Sequence, residues 1–247
     1  MINHKDNFSE KIGTFYDNLN KKSEFKTYSD WKWFRTKSSI SQFNQTKASI
    51  IKSIQEKNFN SALEIGPGDG IWTELLSHHC KKIDAIDISK EMLKMAKKRF
   101  AGTQNIKFIE GDFLKLNLPE SKYDLVYSIR CFEYIPEKDK AIKKFMRLLK
   151  KDGKLLLITK NPHFLSIKMR DKEIHSKQID ILKLKSKLEE NGFQVLKIYP
   201  AVFGKGFHFP LFRYFSQKFH SKLIDRNFSI NLMTKYLSES FIIYAKK

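Results

Sequence analysis

The chain has 247 residues, 41% of them hydrophobic, enough to bury one sizeable core and too few for several large domains. No apolar run reaches the roughly 18 residues a membrane-spanning helix needs, so no transmembrane helix is predicted. The formal net charge of +20 comes mostly from lysines spread along the whole chain, a pattern read as a solvated surface in preference to an arginine-rich phosphate-binding face.

The first residues, Met1-Ile2-Asn3-His4-Lys5-Asp6, are polar and include an acid, so no secretory signal is predicted. Cys80 and Cys131 are the only cysteines and lack metal-ligand spacing. That points to reduced thiols, a cytoplasmic location and no metal site. Residues 1–60 read as a helical extension in front of a domain spanning 61–247. Helices are predicted from Phe8 to Leu19 and from Trp31 to about Lys57, the second with a partial apolar stripe of Phe43, Ala48, Ile50, Ile51 and Ile54. Between them Tyr28 to Arg35 is unusually aromatic. It either staples the extension to the core or forms a lid over a ligand.

From Ala62 strands and helices alternate, the pattern of a parallel sheet covered on both faces. The first strand, Ala62–Ile65, runs into Gly66-Pro67-Gly68-Asp69-Gly70 and a helix from Ile71 to about His79. A second strand, Ile83–Asp87, precedes a helix capped by Ser89, with Leu93, Ala96 and Phe100 on its inner face. The third strand is Ile106–Glu110 and the fourth Asp124–Ser128. A helix near 137–150 carries Ile142, Phe145, Met146 and Leu149 at helical spacing, and is predicted to stop at Lys151-Asp152-Gly153 with the glycine left-handed. Strands at Lys154–Thr159 and Phe193–Tyr199 flank a helix from Ile179 to about Glu190, and a last strand is Ser240–Ala245.

Three carboxylates fall where strands end, the place where ligands bind in open α/β sheets. Glu64 and Asp87 close the first two strands and Asp112 follows the third. Asp87 lies about 20 residues after the glycine turn, the offset at which an acid accepts from ribose hydroxyls. The turn itself has Ile71 where a dinucleotide site would have its third glycine. Glu64 and Asp69 would also set negative charge beside a pyrophosphate. A cationic ligand that carries a ribose fits these residues better.

Leu63 to Gly70 resembles the first motif of class I S-adenosylmethionine-dependent methyltransferases, and Asp87 to Ala96 is similar to their second. Gly111-Asp112-Phe113, Tyr123 to Ser128 and Leu148 to Leu155 resemble the later motifs, so the likeness covers about 60–160 in unbroken order. It implies a Rossmann-like seven-stranded α/β sheet of order 3-2-1-4-5-7-6, the last strand antiparallel and helices on both faces. It also implies that Gly66, Gly68 and neighbouring backbone such as Ile65 hold the methionine part of the cofactor, with Glu64 on its ammonium. Asp87 would bind the ribose hydroxyls, and Ile88 or Met92 would pack on adenine. In the segment that begins at Gly111, Asp112 would accept from the adenine amino group and Phe113 would donate its backbone N–H. Ser128, Ile129 and Arg130 would line the methyl end. The chain departs from relatives in carrying Cys131-Phe132-Glu133-Tyr134 where a Leu-x-His-type segment is frequent, and in placing Arg130 near a sulfonium.

Candidate bases for an acceptor are His163, then Glu133 and Tyr134, then His175. The Asn-Pro-Pro-Tyr motif expected of many enzymes that methylate exocyclic amines of nucleic acids is missing after the fourth strand. The insert 201–239 contains Phe212, Phe215, Phe219 and Leu223 near one helical face. It is either a helix packed on the sheet edge or a basic amphipathic helix, over 207–224, that touches the inner face of a membrane or admits an apolar acceptor. The reading is therefore a methyltransferase acting on a small-molecule or lipid-like acceptor. Its alternatives are an RNA methyltransferase and a catalytically silent cofactor-binding or membrane-associated scaffold.

Overall fold

The computed structural model describes residues 4–21, 26–55, 58–165, 177–204, 220, 230 and 232–247. Seven strands form one sheet in the order β3-β2-β1-β4-β5-β7-β6. They are β1 (Ala62–Ile65), β2 (Ile83–Asp87), β3 (Ile106–Glu110), β4 (Tyr123–Ile129), β5 (Leu149–Lys160), β6 (Gln194–Phe203) and β7 (Ser238–Lys246). The first five run parallel, and β7 is antiparallel to both neighbours, β5 and β6. This is the order and sense expected from the motifs.

Strand parity sorts the side chains into two layers. Leu63, Ile65, Val126, Leu155, Leu157 and Ile243 pack on one face beneath α5 (Lys138–Leu148) and α6 (Ile181–Glu190). Ala62, Leu125, Tyr127, Leu156, Ile158 and Ile242 pack on the other beneath α2 (Lys37–Ile54) and α3 (Ile71–Ser77). With both faces covered, β4 and β5 carry near-continuous apolar runs. The fourth helix of the core, α4 (Lys90–Arg99), begins as predicted at Ser89, whose hydroxyl accepts from the Met92 N–H at 3.2 Å. Asp180 caps α6 by accepting from the N–H groups of Leu182 and Lys183.

The N-terminal extension is helical, with α1 at His4–Lys21 and α2 separated by a wide turn at Asp30–Phe34. The second predicted helix therefore starts later than expected, because Thr36 and Ser39 form a reciprocal capping box before Lys37. Its buried face is also more polar than the apolar stripe suggested, and Ala48 is exposed. Ser49, Ser53 and Gln45 are buried and satisfied by β6: Ser53 and Tyr199 share a hydroxyl bond of 2.6 Å, and Gln45 Oε1 accepts from the Phe203 N–H at 2.8 Å. Hydrogen bonds replace the missing aliphatic side chains along this contact.

One turn differs from expectation. The residue with positive φ in the turn after α5 is Asp152 (φ 63), not Gly153, and it lies within β5. Strand β5 starts directly after α5 and bulges, so that the register with β4 jumps between Tyr123 and Leu125. Gly153 is needed there for space, since a Cβ would sit 2.9 Å from the Lys150 carbonyl oxygen. The amphipathic helix expected over 207–224 and the membrane contact assigned to it lie outside the described residues, except for the buried His220. Among the described residues no helix is long and apolar enough to cross a membrane. A short helix, α7 (Leu232–Leu237), leads from the insert into β7.

Phe145 is fully buried and stacks on Phe113 at a centroid distance of 5.3 Å, joining α5 to the segment after β3. Phe145→Ala is expected to cost about 3–5 kcal/mol in denaturant unfolding, whereas Leu182→Ala, at a half-exposed position, should change stability by less than about 1 kcal/mol.

Candidate functional site

The turn after β1 is shaped by what surrounds it. Gly66 has φ 75 and its N–H bonds the Ile86 carbonyl at 2.8 Å, and a Cβ there would run into Cys131. Gly68 has φ 60, and a Cβ on it would meet nothing within 4 Å. The first glycine is thus demanded by packing against the segment after β4. The second leaves an open cradle in which backbone can meet a ligand.

A cavity of about 1080 Å³, counting its solvent-open mouth, lies over this turn and the ends of β1, β2, β4 and β5. Asp87 faces it, with one oxygen accepting from the Gly68 N–H at 3.0 Å and the other from the Ser89 N–H at 2.9 Å. Burial pushes its carboxyl up to about 6, against the pull of those backbone donors. Ile88 and Met92 line the wall beside it, as do Gly111, Asp112 and Phe113. Asp112 caps its own turn by accepting from the Leu114 N–H at 2.8 Å. Ile65, Gly66, Gly68 and Ile129 complete the part of the wall that sequence reasoning had assigned to a cofactor. An open glycine cradle flanked by carboxylates fits a ligand with cationic groups and ribose hydroxyls, as S-adenosylmethionine is. It does not fit a polyphosphate.

The opposite wall comes from the N-terminal extension. Tyr16, Tyr28, Lys32 and Trp33 face the cavity across from Tyr134, with Tyr16 edge-on to Tyr28 at 5.9 Å and to Tyr134 at 5.8 Å. The extension is tied to the glycine turn by the buried Asp69, whose carboxylate accepts from the Ser29 N–H at 2.8 Å and hydroxyl at 2.5 Å. Arg99 holds the same carboxylate from the far side at 3.5 Å. Trp33 anchors the turn by packing edge-on to Trp72 at 5.3 Å.

Arg130 sits at the floor with φ 65 and a buried guanidinium. It grips Glu239 of β7 through two bonds of 2.6 and 2.8 Å, and its Nε reaches Glu133 at 3.4 Å. The positive charge expected near a sulfonium is therefore balanced by two carboxylates. Beside this cluster, at the end of β5, the buried Lys160 also lines the cavity.

Three predicted site residues face elsewhere. Glu64 lies on the α3 face, where its Oε2 accepts from Thr73 at 2.5 Å and Tyr127 at 3.0 Å, and burial pushes its carboxyl up to about 7. It lies under α3 and is not among the residues that line the cavity. Ser128 is fully buried and donates to the Ile65 carbonyl at 3.1 Å, bracing the turn from below. His163, first among the candidate bases, is part-exposed and pairs with Asp180 at 2.9 Å, outside the cavity wall. His175 lies outside the described residues. Glu133 and Tyr134 do line the cavity, brought in by a turn at Phe132–Tyr134. Sequence reasoning missed Tyr16 and Lys160 as wall residues. For Lys160 a signal was present, since it shares strand parity with the apolar Leu156 and Ile158.

The Arg130–Glu239 pair joins the β4 loop to the strand that follows the insert. Removing either partner strands a buried charge, so Arg130→Met and Glu239→Gln are each expected to destabilise by about 3–5 kcal/mol in denaturant unfolding. The double variant should lose clearly less than the sum, and additive losses would show that the pair is not coupled.

Residues 63–157 match the family described as methyltransferase domain. An uncharacterised methyltransferase of Bacillus cytotoxicus is 31% identical over 163 residues, which cover 64% of this chain and 74% of the relative. A malonyl-[acyl-carrier protein] O-methyltransferase of Paenibacillus sp. is 31% identical over 141 residues, covering 52% of this chain and 51% of that protein. Among solved structures, the N-methyltransferase NodS of Bradyrhizobium japonicum, in complex with S-adenosyl-L-homocysteine, shares the fold. Its TM-score is 0.63 at 15% identity, over 94% of this chain and 97% of that one. With the sheet order, the glycine turn and the sequence relatives in agreement, this chain belongs to the class I S-adenosylmethionine-dependent methyltransferases.

Proposed function

We propose that this methyltransferase transfers its methyl group to a small-molecule or lipid-like acceptor, taken up between the glycine turn and the aromatic wall of the N-terminal extension. The observation that carries the reading is that wall. Tyr16, Tyr28 and Trp33 cover the cavity opposite Tyr134, and such an enclosure suits a compact acceptor better than a polymer strand. The relative named for O-methylation of malonyl-[acyl-carrier protein] supports an acceptor of this size class. Residues 1–60 act in this reading as a lid as well as a staple, with the Asp69–Ser29 bonds as its hinge point.

S-adenosylmethionine, when bound, supplies an electrophilic methyl group on a sulfonium. The chain's own residues hold and orient it. Backbone at Gly66 and Gly68 lies along the methionine part, and Asp87 accepts from the ribose hydroxyls. Ile88 and Met92 pack on the adenine, Asp112 accepts from its amino group, and the Phe113 N–H donates to its ring edge. Ile129 and the charge-balanced Arg130 floor the methyl end. Little covalent work is left for the protein beyond alignment and exclusion of water.

Asp87→Ala should weaken S-adenosylmethionine binding by about 10–100-fold in calorimetry, the value of hydrogen bonds to a charged acceptor. A raised carboxyl also sets the sign of the pH dependence. Because Asp87 is pushed up to about 6, it takes a proton as pH falls through that value, and affinity for the cationic ligand should drop below it. Binding should be flat from about pH 7 to 8 and near tenfold weaker at pH 5, with the slope lost in Asp87→Asn. For the acceptor, methyl-labelled cofactor incubated with the protein and a bacterial extract should deposit label in the small-molecule or lipid fraction. Label in RNA, with affinity falling steeply as salt rises, would overturn the proposal.

A further inference from the structure

We infer that Lys160 is the catalytic base, accepting the proton of an acceptor that arrives as a hydroxyl, and that Glu133 is placed to offset the charge of the proton it receives. The inference rests on the acceptor-site reading above and names the acceptor's chemical class.

Geometry puts the lysine in place. Lys160 ends β5 on the same face as Leu156 and Ile158, opposite Ser240 of β7, and lines the cavity beside Ile129, Arg130 and Glu133. It is 8% exposed, and among the described residues its Nζ has no hydrogen-bond or ion-pair partner. A part-buried lysine close to Glu133 in sequence, Lys138, shows the contrast. Its Nζ donates to the Phe132 and Ile135 carbonyls at 2.6 and 2.5 Å and it is absent from the cavity wall. Lys138 is satisfied by the fold, whereas Lys160 is left for a ligand.

The charged groups facing Lys160 come from three directions. Arg130 and Glu133 follow β4, Glu239 precedes its partner residue on β7, and Lys32 comes from the N-terminal extension. Burial, then the charges of Arg130 and Lys32, outweigh Glu133 and Glu239 and hold the Lys160 amine down to about 6, so at neutral pH it carries a lone pair. Arg130, Glu133 and Glu239 together then have one negative charge in excess. One Glu133 oxygen is bound to Arg130, and the other is buried without a partner among the described residues. A proton taken from the acceptor would offset that excess charge, so the carboxylates ease a protonation that burial opposes. A carboxylate acceptor would instead meet this surplus of negative charge, which is why a neutral hydroxyl fits better.

In the step inferred, the acceptor oxygen gives its proton to Lys160 Nζ and forms a bond to the methyl carbon, leaving the pair of the broken carbon–sulfur bond on sulfur. Lys160 becomes an ammonium balanced by Glu133, and the proton leaves to water after the product does. The arrangement calls for a base near its working pH, which is the condition for efficient general-base catalysis.

The test begins without any acceptor. In protein carrying ¹³Cε-lysine, the resonance missing from Lys160→Arg should titrate with a midpoint near pH 6. A midpoint in the ordinary lysine range, near 10, overturns the inference. The second arm uses the extract fraction that takes up label from the wild-type enzyme. Lys160→Met should bind S-adenosylmethionine with unchanged affinity, which also shows that it is folded, and transfer methyl at least about 100-fold more slowly. Added ethylamine should restore part of the rate to Lys160→Ala. Lys160→Arg should stay inactive, because a guanidinium does not give up its proton. Transfer by Lys160→Met within threefold of wild type, or by an active Lys160→Arg, overturns the inference. If no fraction takes up label from the wild-type enzyme, the acceptor reading fails, and the titration still decides the state of Lys160.

Discussion

The site depends on one carboxylate. Asp87 ends β2 and turns both oxygens onto backbone N–H groups, Gly68 in the glycine turn and Ser89 at the start of α4. Those bonds fix the height of the turn above the sheet and keep the Gly68 cradle facing the cavity. They also hold an otherwise costly buried charge, which burial alone would discharge. The same group is thus a structural brace and a carboxylate that faces the cavity. The fold carries the desolvation of that charge before any ligand binds, so binding need not.

Around it the architecture adds a wall on each side. Gly66 is pressed against Cys131, so the glycine turn and the loop after β4 share one packing surface. On the other side Asp69 takes two bonds from Ser29 and so brings an extension from the far N-terminus onto the same turn. The aromatic residues of that extension are held at distances that leave space between Tyr16, Tyr28 and Tyr134 and the ends of the strands. The methyltransferase core therefore presents the glycine turn and Asp87, while a segment outside it supplies the aromatic wall, the usual arrangement of a rigid scaffold carrying variable segments.

Charge balance at the cavity floor has a similar logic. An arginine next to a sulfonium would oppose binding if it stood alone. Here Glu239 takes the guanidinium in a fork and Glu133 takes its Nε, so the cluster carries no positive surplus toward the ligand. Glu239 belongs to β7, which ties the floor to the strand that runs antiparallel between β5 and β6. The added antiparallel strand thus supplies a group that the parallel part of the sheet lacks.

The alternating elements, the glycine turn and the acids Asp87 and Asp112 were legible in the sequence because each rests on a local rule. Strand period, the φ > 0 requirement and the end of a strand are all read within a few residues. That Glu64, Ser128 and His163 lie outside the cavity wall was not legible in this way. Their direction depends on partners such as Tyr127, Ile65 and Asp180, which other parts of the chain bring close. The polar underside of α2 was hidden for the same reason, since its serines and Gln45 find donors and acceptors only on β6, far along the chain. The sequence by itself determined the order of the strands, the turn that makes the cradle and the family to which they belong. Only the tertiary structure decided which strand-end side chains face the cavity and how they are charged. Exposure and electrostatic neighbours are set by contacts between residues distant in sequence, as Arg130 with Glu239 and Ser29 with Asp69 show.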